Sequence, residues 1–176
     1  LVTAREVREL FKVVAETPST GGPAGVDLLL NAPEMDPLEV AVPEREAPAV
    51  GVRFFAKSLT AQAVGEPADA WLRKALGRDD LRLMWCADPT KRPMNPDKYR
   101  PGEFAAFHDS SPVSLLTDAS ADQIDAWAEG EVPAQRFRAN LLIEGAPEAF
   151  AEDGWKEVAI GGARFRVAAP IDRCVM

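Results

Sequence analysis

Glu157-Val158-Ala159-Ile160-Gly161-Gly162-Ala163-Arg164-Phe165-Arg166-Val167-Ala168 reads as two short strands around a two-residue turn. Gly-Gly between two β-prone runs is a strong hairpin signal, because glycine reaches the positive φ values that tight hairpin turns require. Further short strands are read upstream. Val26–Leu30 and Leu38–Val42 are separated by Pro33 and Pro37, and the second run alternates apolar with polar. Val50–Phe55, Leu81–Trp85, Val113–Thr117 and Phe137–Ile143 read the same way.

Helices are few. Pro67 followed by Ala68, Trp71, Leu72, Ala75 and Leu76 makes one apolar stripe, and Gly77 ends it as a left-handed cap. Ser120 with Gln123 three residues later has the capping-box pattern and predicts a short helix to about Ala128. Ala149–Trp155 predicts a single helical turn, and Arg5–Glu16 fits helix or strand. Thr17–Gly25 reads as a loop, and Asp88–Pro101 as a proline-punctuated loop carrying Lys91, Arg92, Lys98 and Arg100. These elements predict an α+β chain, mainly β, built on sheets or a barrel. The long loop is the expected boundary between residues 1–90 and 91–176.

Composition excludes several functions. The 176 residues carry 20 basic and 28 acidic side chains, a net charge of −8, which argues against a broad nucleic-acid surface. No apolar run approaches the ~20 residues of a membrane-spanning helix, and no secretory leader is visible, so a cytoplasmic location is expected. Cys86 and Cys174 do not make a secreted disulfide framework. They read as reduced thiols, with Cys86 a buried strand residue, although one Cys86–Cys174 bridge also fits the spacing. The single histidine, His108, excludes a multi-histidine zinc site, and no phosphate-binding loop, dinucleotide fingerprint or HExxH motif is present.

Four local features could carry chemistry. In Arg136-Phe137-Arg138-Ala139-Asn140, read as strand, an inward Phe137 would put both arginines on the opposite face, suited to an anion. Asp109-Ser110-Ser111-Pro112 offers hydroxyls and amides at a turn. In Asp172-Arg173-Cys174 the neighbouring guanidinium favours the thiolate, the form that ligates metals. Thr3-Ala4-Arg5 supplies a further base. Each also has an ordinary reading, as solvated strand face, structural turn or inert thiol.

In this order the pieces resemble the MOSC family, and more closely its amidoxime-reducing component branch with bacterial reductases of N-hydroxylated bases. The resemblance runs from Leu1-Val2-Thr3-Ala4-Arg5 to the end. It includes the helix around Trp71, Phe107-His108-Asp109-Ser110-Ser111-Pro112-Val113, Ala119-Ser120, Arg136–Asn140, Glu152-Asp153-Gly154-Trp155, Ile160-Gly161 and Asp172-Arg173-Cys174. It implies a β-barrel-like MOSC domain preceded by a smaller αβ N-terminal domain, here truncated at both ends. It also implies a molybdenum cofactor (molybdopterin), with Cys174 as metal ligand and catalytic residue. Arg5, Asp109, Ser110, Ser111, Arg138, Asn140, Asp172 and Arg173 would bind the cofactor. The implied activity is reduction of small N-hydroxylated substrates with electrons from a partner protein or a fused ferredoxin-like domain. A module that only carries cofactor or sulfur is the alternative, and pyridoxal phosphate binding is a family-level association.

Overall fold

A computed structural model describes residues 1–92, 94–108 and 110–172. Asp109, Arg173 and Cys174, three of the expected site residues, lie outside them. The chain divides after Lys91 into two compact units.

In the first unit, β1 (Val14–Glu16), β2 (Leu28–Asn31) and β3 (Leu38–Val40) form an antiparallel sheet. Leu30 faces Ala15 on one side and Leu38 on the other. The Arg5–Glu16 stretch is thus resolved into a 3-10 turn at Arg8–Lys12 followed by a strand. A second sheet holds β4 (Ala49–Phe54), β5 (Lys57–Ala63) and β6 (Met84–Trp85), again antiparallel. Helix α1 (Glu66–Leu76) runs as its punctuation predicts, with Pro67 in the first turn and Gly77 left-handed at the end. Ala68, Trp71, Leu72 and Leu76 bury its apolar stripe against Val7, Leu30, Val40 and Leu81. Trp71 also satisfies its indole N–H, donating to the Asp36 carbonyl at 2.7 Å. One charge sits inside: Asp69, 4% exposed, accepts the Leu83 amide at 2.7 Å and lies 3.5 Å from Arg82.

In the second unit, β7 (Leu115–Thr117) and β8 (Leu141–Ile143) pair in parallel, Leu115 opposite Leu141. Parallel neighbours need a crossover, and α2 (Asp118–Trp127) lies in that connection. The hairpin of β9 (Glu157–Ile160) and β10 (Ala163–Arg166) has the expected register, Ile160 opposite Ala163, with Gly161 at φ 57°.

Four expectations are corrected. Among the described residues the strands form four separate small sheets, with no closed barrel. The cap of α2 is Thr117, whose hydroxyl accepts the Ser120 amide at 3.2 Å; Ser120 is inside the first turn and fully buried. Residues 134–137 form a 3-10 turn after Pro133 and Arg138 is left-handed at φ 50°, so Arg136 and Arg138 share no strand face. Cys86 lies just past β6, half-buried.

Candidate functional site

A cavity of about 530 Å³ opens within the second unit. Three stretches that the sequence singles out meet on its wall: Ser111, then Phe137 and Ala139, then the run from Arg164 to Ile171. Ile171 directly precedes Asp172-Arg173-Cys174. Most of the lining is aliphatic or aromatic, with polar groups at a few points, the usual make-up of a small-molecule site.

Each stretch is positioned by a hydrogen bond that the sequence does not advertise. Ser111 Oγ lies 2.6 Å from the Tyr99 hydroxyl. Asn140 Oδ1 accepts both the amide and the hydroxyl of Ser114, at 2.9 and 3.0 Å, and the Asn140 amide donates to the Ser114 carbonyl at 3.0 Å. That doubled link docks the start of β8 against the chain entering β7. It commits the Asn140 carbonyl oxygen, so its amide group is the end that can meet a ligand. Arg166 at the end of β10 forms a forked pair with Glu103, Nε to Oε1 at 3.1 Å. The Arg166 hydrogen bond holds the Glu103 carboxyl below the usual carboxylate range.

Behind the cavity is a polar hub. Thr117 and Ser120 are fully buried, and the Thr117 hydroxyl lies 2.8 Å from Ser120 Oγ and 3.0 Å from Glu152 Oε2. The Thr117 amide donates to Glu152 Oε1 at 3.2 Å, and the Phe150 amide to Ser120 Oγ at 2.7 Å. Burial pushes the Glu152 carboxyl up, but the hydrogen bonds of Ser120, Thr117 and the backbone outweigh it, and the net shift is downward. Asp118 adds a second tie, accepting the Gly145 amide at 2.9 Å, and that bond with others lowers its own pKa. Phe150, left-handed at φ 63°, faces the cavity and stacks on the exposed Trp127 ring at 5.4 Å.

Of the residues expected at the site, Ser111 lies on the cavity wall. Arg138 and Asn140 flank wall residue Ala139 and are both exposed. Asp172 is exposed at the end of the described chain and Ser110 is exposed beside Ser111. Arg5 belongs to the first unit, where its guanidinium stands 5.9 Å over the Phe55 ring. The sequence reading missed Tyr99, Glu103 and Arg166, and it quoted Glu152 in the resemblance without giving it a place at the site. Their partners are 12 to 63 residues away, and no local pattern marks such pairs.

Residues 103–176 match the family model described as the MOSC domain. The mitochondrial amidoxime-reducing component 1 of Xenopus laevis is 29% identical over 182 aligned residues, covering 100% of this chain and 51% of that protein. Its human counterpart is 32% identical over 116 residues, 64% of this chain and 34% of the relative. A molybdenum cofactor sulfurase from Danio rerio is 33% identical over 126 residues, 64% of this chain and 15% of the relative. The chain thus spans about half or less of the length of these relatives. The resemblance to the MOSC family and its amidoxime-reducing branch, drawn from the motifs, is borne out.

Proposed function

We propose that this chain, with its MOSC match over residues 103–176, is the cofactor-holding part of a molybdenum-dependent reductase of N-hydroxylated compounds. At the level of the family, the MOSC match and the named relatives tie it to the molybdenum cofactor. The observation that carries the finer reading is the convergence of Ser111, the Phe137–Ala139 stretch and the chain leading to Cys174 on one cavity.

The residues fit an anionic pterin group by their donor chemistry. Ser111 brings a hydroxyl, Asn140 an uncommitted amide group, and Arg138 a guanidinium at an exposed left-handed position. Asp109, Ser110, Asp172 and Arg173 are proposed to complete the binding set. Cys174 would ligate the metal, since a thiolate beside a guanidinium is a stabilised soft ligand. When bound, the cofactor supplies the two-electron chemistry, and the protein supplies orientation and electrostatics. The net reaction for an amidoxime consumes two electrons and two protons, breaks the N–O bond, and releases an amidine and water. The electrons would come from a partner redox protein or a fused ferredoxin-like domain. Apolar cavity walls such as Leu115, Phe137 and Phe165 suit the body of a small organic substrate and exclude water from the reacting end.

The test is Cys174→Ala in the full-length protein supplied with molybdate. Molybdenum content and reduction of benzamidoxime with an artificial electron donor should both fall to background, while the melting temperature holds. Equal molybdenum in wild type and variant would overturn the ligand assignment. The similarity to a molybdenum cofactor sulfurase favours a second reading, a module that carries cofactor or sulfur without reducing a substrate. Wild-type protein that holds molybdenum yet leaves every N-hydroxylated substrate untouched would select it.

A further inference from the structure

The second unit begins with a stretch rich in proline and poor in regular structure. After the 3-10 turn at Pro89–Lys91 the described residues form no helix or strand until β7 at Leu115. Backbone ladders cannot hold such a segment, so side chains must. Arg92 is the first. It is 9% exposed, a rare state for an arginine, and its Nη1 donates to the Ala106 carbonyl at 2.6 Å and to the His108 carbonyl. A guanidinium on two carbonyls two residues apart fixes the course of the chain between them, through charge-assisted bonds stronger than neutral ones. Ala105, 2% exposed, anchors the same stretch from the apolar side.

Tyr99 is the second. Its ring is half-buried on the cavity wall, and its hydroxyl reaches Ser111 Oγ at 2.6 Å, a short O–H···O distance. The Tyr99 backbone is itself set by its amide, which donates to the Asn95 carbonyl at 3.0 Å. Where the tyrosine donates, the Ser111 proton is directed away from it, towards an acceptor. A phosphate or pterin oxygen is such an acceptor.

We propose that Arg92, which holds the chain from Ala106 to His108, and Tyr99, which holds Ser111, are positioning residues through which Ser111 presents its hydroxyl proton to an anionic cofactor. This rests on the reading of the cavity as the cofactor site. Arg92 sets the backbone and Tyr99 sets the rotamer. Neither touches the reacting atoms.

Tyr99→Phe keeps the ring and removes only the hydroxyl, so it tests the rotamer without opening a cavity. In full-length protein loaded with molybdenum cofactor, it should release the pterin about fivefold to tenfold faster, the order of one lost neutral hydrogen bond. Ser111→Ala should lose as much. The double variant should lose no more than either single one, because both act through one contact. Arg92→Lys keeps the charge without the planar guanidinium and should fall between wild type and Arg92→Gln. A second readout needs no cofactor: in the cofactor-free protein, the amides of Tyr99, bonded to Asn95, and Ser114, bonded to Asn140, should exchange hydrogen several-fold faster in Tyr99→Phe, with the melting temperature unchanged. Additive losses in the double variant, or wild-type pterin retention in Tyr99→Phe, would overturn the proposal. A wild-type protein that takes up no molybdenum cofactor defeats the functional reading itself, which the wild-type loading step reveals before any variant is compared.

Discussion

The two units are built on opposite principles. In the first, α1 presses Trp71, Leu72 and Leu76 onto Leu30, Val40 and Leu81, and the buried polar side chains are the paired Asp69 and Gln62, whose amide donates to the Glu44, Arg45 and Ala47 carbonyls. In the second, Ala105 and Ala121 are the buried hydrophobic residues among those described, and the fully buried side chains are the hydroxyl-bearing Thr117 and Ser120. Apolar burial is strong and non-directional, whereas a hydrogen-bonded hub is weaker in net energy but fixes geometry. Each unit keeps a pocket open: about 460 Å³ beside Thr60 and Gln62 in the first, and about 530 Å³ with mostly apolar walls in the second, where directional bonds fix the wall residues Tyr99, Ser111, Glu103 and Arg166.

The contrast can be broken from either side. Leu72→Ala should be the most damaging change, costing about 2–5 kcal/mol because a filled apolar core relaxes poorly around a void. Chemical denaturation followed by tryptophan emission measures it, and a loss below the range found for exposed sites would sink the apolar-core description. Thr117→Val should cost about 1–3 kcal/mol, since it removes the hydroxyl from the buried Ser120 and the half-buried Glu152. Hydrogen exchange should locate that loss in the second unit, with the α1 amides unaffected.

Acid gives the smallest and most graded effect. Glu152 and Asp118 have pKa values below those of free carboxylates. A lowered folded-state value means stability that is full above the unfolded-state pKa and is lost as pH falls through the folded one. The second unit should therefore weaken progressively below the ordinary carboxylate range. Glu152→Gln should be less stable at neutral pH but show a shallower decline in its urea midpoint as the solution is acidified. An unchanged slope would exclude Glu152 from the hub.

What the sequence disclosed follows from how locally each feature is encoded. The β9–β10 turn, the β2–β3 pair and α1 are marked by Gly161-Gly162, Pro33 with Pro37, and Pro67 with Gly77, all within the elements they delimit. β5 was not read because Lys57, Ser58, Ala61 and Ala63 are poor strand formers. Pairing with β4 along its length, and with β6 at Gln62 and Ala63, makes it a strand. The expected strand through Arg136–Asn140 failed because Pro133 starts a tight turn and Arg138 takes a left-handed conformation. Thr117 outcompeted Ser120 as cap because Ser120 is drawn inward to Phe150. At the cavity, Ser111 was legible from its turn motif. Tyr99, Glu103 and Arg166 were not, because each acquires its role only when distant segments meet.

The ring pair of Trp127 and Phe150 gives the second unit a built-in optical probe. Trp127 is 68% exposed, which predicts the emission of an indole in water, while its stacking partner stands on the cavity wall. Any occupant that shifts Phe150 changes the quenching of an indole lying at the end of α2, and the filling of the cavity becomes visible as a change of colour and intensity without a label.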